Sequence, residues 1–70
     1  MKVLLIEQCS DSMMWYRHCV GCYVPYLRTE DDVYMGKELA GFANIVKLTD
    51  ARVVDVDNPK YYTPVRNYVS

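Results

Sequence analysis

No aliphatic run in this chain exceeds the four residues Val3-Leu4-Leu5-Ile6, and Glu7 closes it. A secretory leader needs roughly 7–15 apolar residues and a membrane helix about 20, so neither is expected and the chain is read as cytoplasmic. An excess of positive charge is also missing, because eight basic residues stand against nine acidic ones for a formal net charge of −1. That balance excludes DNA binding by bulk charge and leaves only local patches. The cysteines, Cys9, Cys19 and Cys22, are too few and odd in number for a disulfide framework, which points to a reducing compartment. Neither a Walker-type loop nor a Gly-x-Gly-x-x-Gly turn occurs, and 70 residues leave no room for a multidomain enzyme.

What is present favours strands. Apolar residues make up 51% of the chain, with ten valines and nine aromatics against three alanines. Val3–Glu7, apolar on both faces, reads as a central strand. Ser10-Asp11-Ser12 supplies capping side chains ahead of Met13-Met14-Trp15-Tyr16, which predicts one short helical turn delivering Trp15 and Val20 to the core, with Tyr23 buried beside them. Cys22–Arg28 alternates as a strand, and Pro25, which donates no backbone hydrogen bond, places it at an edge or at a bulge. Thr29-Glu30-Asp31-Asp32 is a polar hairpin tip leading to Val33-Tyr34-Met35. Gly36 and Gly41 bracket a polar link, Phe42–Leu48 is a strand, Thr49-Asp50-Ala51 a tight turn, and Arg52–Val56 a last strand. The expected class is mainly β, a small five-stranded barrel or meander with one helical turn and an irregular C-terminal tail.

The tail begins where the composition changes. Residues 1–57 hold all nine acids and six bases, a net of −3, whereas residues 58–70 hold Lys60 and Arg66 and no acid, a net of +2. Asn58-Pro59 starts a turn and Pro64 interrupts any long element. The chain therefore divides into a β domain, 1–57, and an aromatic and basic tail, 58–70, with a short strand expected around Pro64–Val69.

Ser10, Trp15, Tyr16, Val20, Gly21, Tyr23, the hairpin aromatic Tyr34, and Lys47, Asp50, Ala51, Val53 and Val54 follow one another in an order that resembles a group of short proteins of tailed bacteriophages, over about residues 1–56. Pro25, Cys19 and Cys22 depart from that pattern. The resemblance implies an SH3-like barrel and a viral origin; it implies no activity.

One constellation could carry chemistry. Cys9, His18, Cys19 and Cys22 match zinc in number, but His18 and Cys19 are sequence neighbours whose side chains diverge and no second Cys-x2-Cys knuckle follows. They are read as packing or idle thiols and a surface histidine, without metal, cofactor or catalytic role. Two surfaces could meet a partner. Glu30-Asp31-Asp32 could imitate phosphate or dock on a basic protein, and Tyr61, Tyr62, Arg66 and Tyr68 interleave aromatics with charge, as interface anchors or base-stacking surfaces do; a third reading folds the tail back over strand one. The apolar content exceeds what so small a core encloses. The expected function is a non-enzymatic, phage-encoded interaction module that modifies or inhibits a host cytoplasmic protein and self-associates, with no membrane role. The alternative is a nucleic-acid-binding barrel of the SH3 or KOW type.

Overall fold

The computed structural model describes residues 1–65 and contains five strands: β1 (Lys2–Ile6), β2 (Tyr23–Glu30), β3 (Val33–Lys37), β4 (Ala43–Lys47) and β5 (Ala51–Asp55). All pairings are antiparallel, in the order β4-β3-β2-β1-β5. Four strands form a meander, and β5 returns to the far side of β1. The terminal strands β4 and β5 do not pair with each other, so the sheet does not close into a barrel.

β1 lies between two neighbours, with Leu4 opposite both Val24 and Val53. Val3, Leu4, Leu5 and Ile6 are all buried. Leu4 and Ile6 join Tyr16, Val24, Val46 and Ala51 in the core, each large side chain there contributing about 1.5–3 kcal/mol by leaving water.

β2 serves both halves of the sheet. Its first residues pair with β1, as in Val3 opposite Pro25, and its later ones pair with β3, as in Thr29 opposite Tyr34. The register slips between Tyr26 and Arg28, a bulge that bends the strand where it changes partners. The missing N–H of Pro25 is accommodated beside that bulge, and β2 is an interior strand; the edge position does not occur.

The segment between β1 and β2 is a series of turns. Met14 N donates to Asp11 O, Arg17 N to Met14 O, Cys19 N to Tyr16 O and Cys22 N to Cys19 O, every bond spanning three residues. Each turn ends without starting a helix, and no helix occurs among the described residues. The predicted helical turn is thus a run of single turns: Asp11 Oδ1 caps the first by accepting from Met13 N, while Ser10 turns its polar groups to Asp50, far along the chain. No helix among the described residues is long and apolar enough to cross a membrane.

The burial expected for Trp15, Val20 and Tyr23 is also corrected, since all three are half-buried and Tyr16 is the aromatic enclosed in the core. Gly36 does not mark a turn. It lies within β3, where a Cβ would sit 3.3 Å from Leu4 Cδ1 and 3.4 Å from both Val46 Cγ2 and Pro25 O. The absence of a side chain lets the sheet approach its own core. Gly41, at φ +99°, is a turn residue, and Gly41 N donates to Glu38 O while Glu38 N donates to Phe42 O across the β3–β4 link.

After β5 the chain turns at Asn58, φ +52°, and runs to the side of β2 that β1 leaves free. Tyr61 bridges Tyr23 in parallel and Pro64 bridges Cys22; Tyr62 N donates to Tyr23 O and Val65 N to Gly21 O. The first part of the tail is a clasp on the start of β2. The later part of the strand expected at Pro64–Val69 lies outside the described residues.

Candidate functional site

Two features gather chemically capable side chains. The first is internal. Asp50 is fully buried, and its carboxylate accepts from Tyr16 Oη at 2.5 Å, Ser10 Oγ at 3.1 Å and Ser10 N at 3.3 Å. Its backbone carbonyl accepts from Glu7 N and Gln8 N, and Lys47 N donates to Tyr16 Oη at 3.3 Å. Burial pushes the Asp50 carboxyl up, but the donors from Tyr16 and Ser10 outweigh it and hold the group below its ordinary value. Tyr16 is raised far above the ordinary tyrosine range, by burial first and by its bond to Asp50 second. Their acidities are driven apart, yet both groups are spent on each other. This network ties the turn segment to the β4–β5 corner and offers nothing to a substrate.

The second feature is a cleft of about 520 Å³ lined by Trp15, Cys19, Glu38, Leu39, Ala40 and Tyr62. Three separate segments build it: the turns before β2, the β3–β4 link and the clasp. Each aromatic wall is fixed by its polar atom, Trp15 Nε1 donating to Ile45 O at 2.7 Å and Tyr62 Oη to Lys37 O at 2.5 Å. Trp15 also meets Tyr16 edge to face, with ring centroids 5.5 Å apart. Tyr62 sits at φ +61°, a left-handed conformation that costs a bulky residue about 1–2 kcal/mol. Its backbone bond to Tyr23 and its hydroxyl bond to Lys37 hold it there. Strain of this kind gathers at binding sites, where the surrounding structure sets a side chain in place.

The cleft has one carboxylate. Glu38 is half-buried and its Oε2 accepts from Asn44 Nδ2 at 2.8 Å, while no cation among the described residues pairs with it. Burial raises the Tyr62 hydroxyl, with Cys19, Tyr61 and Glu38 nearby adding to the shift. Burial likewise raises the Cys19 thiol, with Cys22 a smaller cause.

The residues singled out in the sequence separate in space. Tyr62 lines the cleft; Tyr61 packs beside it with centroids 6.1 Å apart and points its hydroxyl at Met1 Sδ. Arg66 and Tyr68 lie outside the described residues. Glu30, Asp31 and Asp32 are exposed at the β2–β3 tip, with Glu30 paired to Arg28 and Asp31 at φ +49°. That tip and the cleft occupy opposite ends of β3. The sequence reading missed Glu38, Leu39 and Ala40, whose only signal was an apolar residue, Leu39, inside a supposed polar link.

Cys9, His18, Cys19 and Cys22 do not converge. Cys9 Sγ donates to Asp11 O, His18 is exposed, Cys19 lines the cleft and Cys22 is buried. No group of three or more His, Cys, Asp or Glu among the described residues is arranged to hold a metal ion. No protein-family model, curated protein or solved structure matches the chain.

Proposed function

We propose that this chain is a non-catalytic protein-binding module whose Trp15–Tyr62 cleft receives a short segment of a partner. The observation that carries this reading is the pair of aromatic walls, each fixed by a hydrogen bond to strand backbone, around exposed Leu39 and Ala40. Preset aromatics bind without the cost of ordering side chains, and Trp and Tyr are common anchors in interfaces. Against catalysis stand a Cys19 thiol shifted away from the thiolate and a Tyr16–Asp50 pair saturated by internal bonds.

The strand order and the bent, shared β2 support an SH3-like affinity for the fold. The resemblance to phage proteins supports a host protein of the bacterial cytoplasm as partner. Exposed Phe42 and Leu48 support self-association, which sedimentation equilibrium measures.

Selection from a random heptapeptide library tests the proposal. Selected peptides should change the emission of Trp15, the chain's single tryptophan, and bind Leu39→Lys at least about tenfold more weakly. Leu39 is 79% exposed, so this substitution leaves the core untouched. Failure to enrich peptides, or equal binding to Leu39→Lys, would overturn the proposal. Binding of an eight-residue oligothymidylate that weakens steeply with salt would favour the nucleic-acid reading in its place.

A further inference from the structure

The cleft joins two aromatic walls to a carboxylate. Trp15 and Tyr62 line it, and both have used their polar atoms on strand backbone, so what they present to a ligand is ring surface. The negative face of an aromatic ring attracts a cation, tryptophan most strongly. Glu38 lies in the same cleft, with one carboxylate oxygen held by Asn44. This bond fixes the carboxylate and, among the described residues, leaves the acceptor capacity of Oε1 for a ligand. Among the described residues the lining contains no basic residue.

We infer that the cleft is a subsite for an arginine side chain presented by an extended segment of the partner, the guanidinium lying against Trp15 and Tyr62 and donating to Glu38. This rests on the protein-binding reading and names the chemistry that the cleft selects. Arginine fits better than lysine because its planar guanidinium stacks on rings and donates to a carboxylate from a rigid fork, whereas a compact ammonium is strongly hydrated. Leu39 and Ala40 suit the apolar stem of the same side chain, which buries its methylenes while the head group meets polar atoms. A nucleic-acid phosphate would meet Glu38 as a like charge, so a protein segment is the occupant the cleft favours.

Two small probes separate this inference from the broader one. N-acetyl-arginine methylamide and its neutral isostere N-acetyl-citrulline methylamide are titrated into the full chain, read by Trp15 fluorescence and by the single indole N–H resonance. The arginine probe should saturate and bind at least about tenfold more tightly than the citrulline probe. Glu38→Gln keeps an acceptor for Asn44 and should abolish that preference without moving the thermal midpoint. Equal binding of both probes, absence of saturable arginine binding, or a preference that survives in Glu38→Gln would overturn the inference. Library peptides that occupy the cleft without a cation would also overturn it while leaving the protein-binding proposal standing. A library that yields no cleft binder, beside a clear arginine preference, would separate the two outcomes in the opposite direction.

Discussion

Removing one hydroxyl tests the buried network. Tyr16→Phe keeps the ring, its packing in the core and its edge-to-face contact with Trp15, and deletes the 2.5 Å bond to Asp50 together with the acceptor for Lys47 N. Asp50 would retain Ser10 but lose its shortest donor while remaining fully enclosed. An unsatisfied buried polar group costs about 1–3 kcal/mol, and charged groups lie at the upper end, so a loss of about 2–3 kcal/mol is expected. A core of this size supplies roughly 3–5 kcal/mol, so the substitution removes about two fifths or more of the stability. The thermal midpoint should fall by about 8–24 °C. The pH dependence gives a second reading. The folded Asp50 carboxyl lies below its unfolded value of about 3.9, so its contribution is present above that value and is lost as pH falls through the lower folded value. Tyr16→Phe removes the largest of the bonds that lower it and should flatten the acid limb of stability against pH. Thermal melts followed by circular dichroism between pH 2.5 and 7 measure both effects. A midpoint within 2–3 °C of wild type at pH 7, a shift below about 1 kcal/mol, would refute the account of this network.

Two glycines should respond for different reasons. Gly36→Ala forces a Cβ against Leu4, Val46 and Pro25 O and should destabilise by about 1–3 kcal/mol; Gly41→Ala meets open space and should cost about 1 kcal/mol through its positive φ alone. Urea unfolding compares them, and a Gly36→Ala chain as stable as wild type would show that β3 can yield. Truncation after Asp57 removes the Tyr62 and Val65 backbone bonds and one cleft wall, so about 1–3 kcal/mol and the arginine-probe response should be lost together; retention of the response would place the site elsewhere. Burial raises the Cys22 thiol, and the residue is only 2% exposed, so it should resist a thiol reagent at pH 8 until the chain unfolds, whereupon all three cysteines react. Rapid stoichiometric labelling of native Cys22, located by peptide mass, would contradict the packing described.

Alternation and turn chemistry made the strands legible. Val3–Ile6 has no polar face and became the strand flanked on both sides, and Asp31-Asp32 between two β-rich runs became the hairpin tip. What depended on distance along the chain was not legible. Trp15 and Tyr16 are adjacent and both large, and the choice of which enters the core is made by Asp50, 34 residues from Tyr16, whose carboxylate needs a donor that an indole facing β4 does not provide. Asp50 itself looked like a solvated turn residue. Gly36 looked like a turn and is a spacer, because the crowding that excludes a Cβ comes from β1, β2 and β4 together. The cleft drew its walls from residues 15, 38 and 62, and no local pattern links them. Only Tyr62 was singled out beforehand as a partner residue, from the tail's aromatic content; Trp15 was expected in the core and Cys19 among idle thiols.

The two margins of the sheet are unequal. Along β4, Ile45 and Lys47 turn backbone groups away from β3, and side chains already occupy them: Ile45 N donates to Asn44 Oδ1, Ile45 O accepts from Trp15 and Lys47 N donates to Tyr16. An arriving strand would have to displace an indole, a phenol and an amide to make ladder bonds at Ile45 and Lys47. β5 carries no strand on its far side among the described residues. Among the described residues the open margin is therefore that of β5, and two molecules pairing along it would each use that one margin. Such a pairing terminates at two, since neither outward margin can recruit a third molecule, whereas open-ended stacking needs a receptive rim at both ends of every unit.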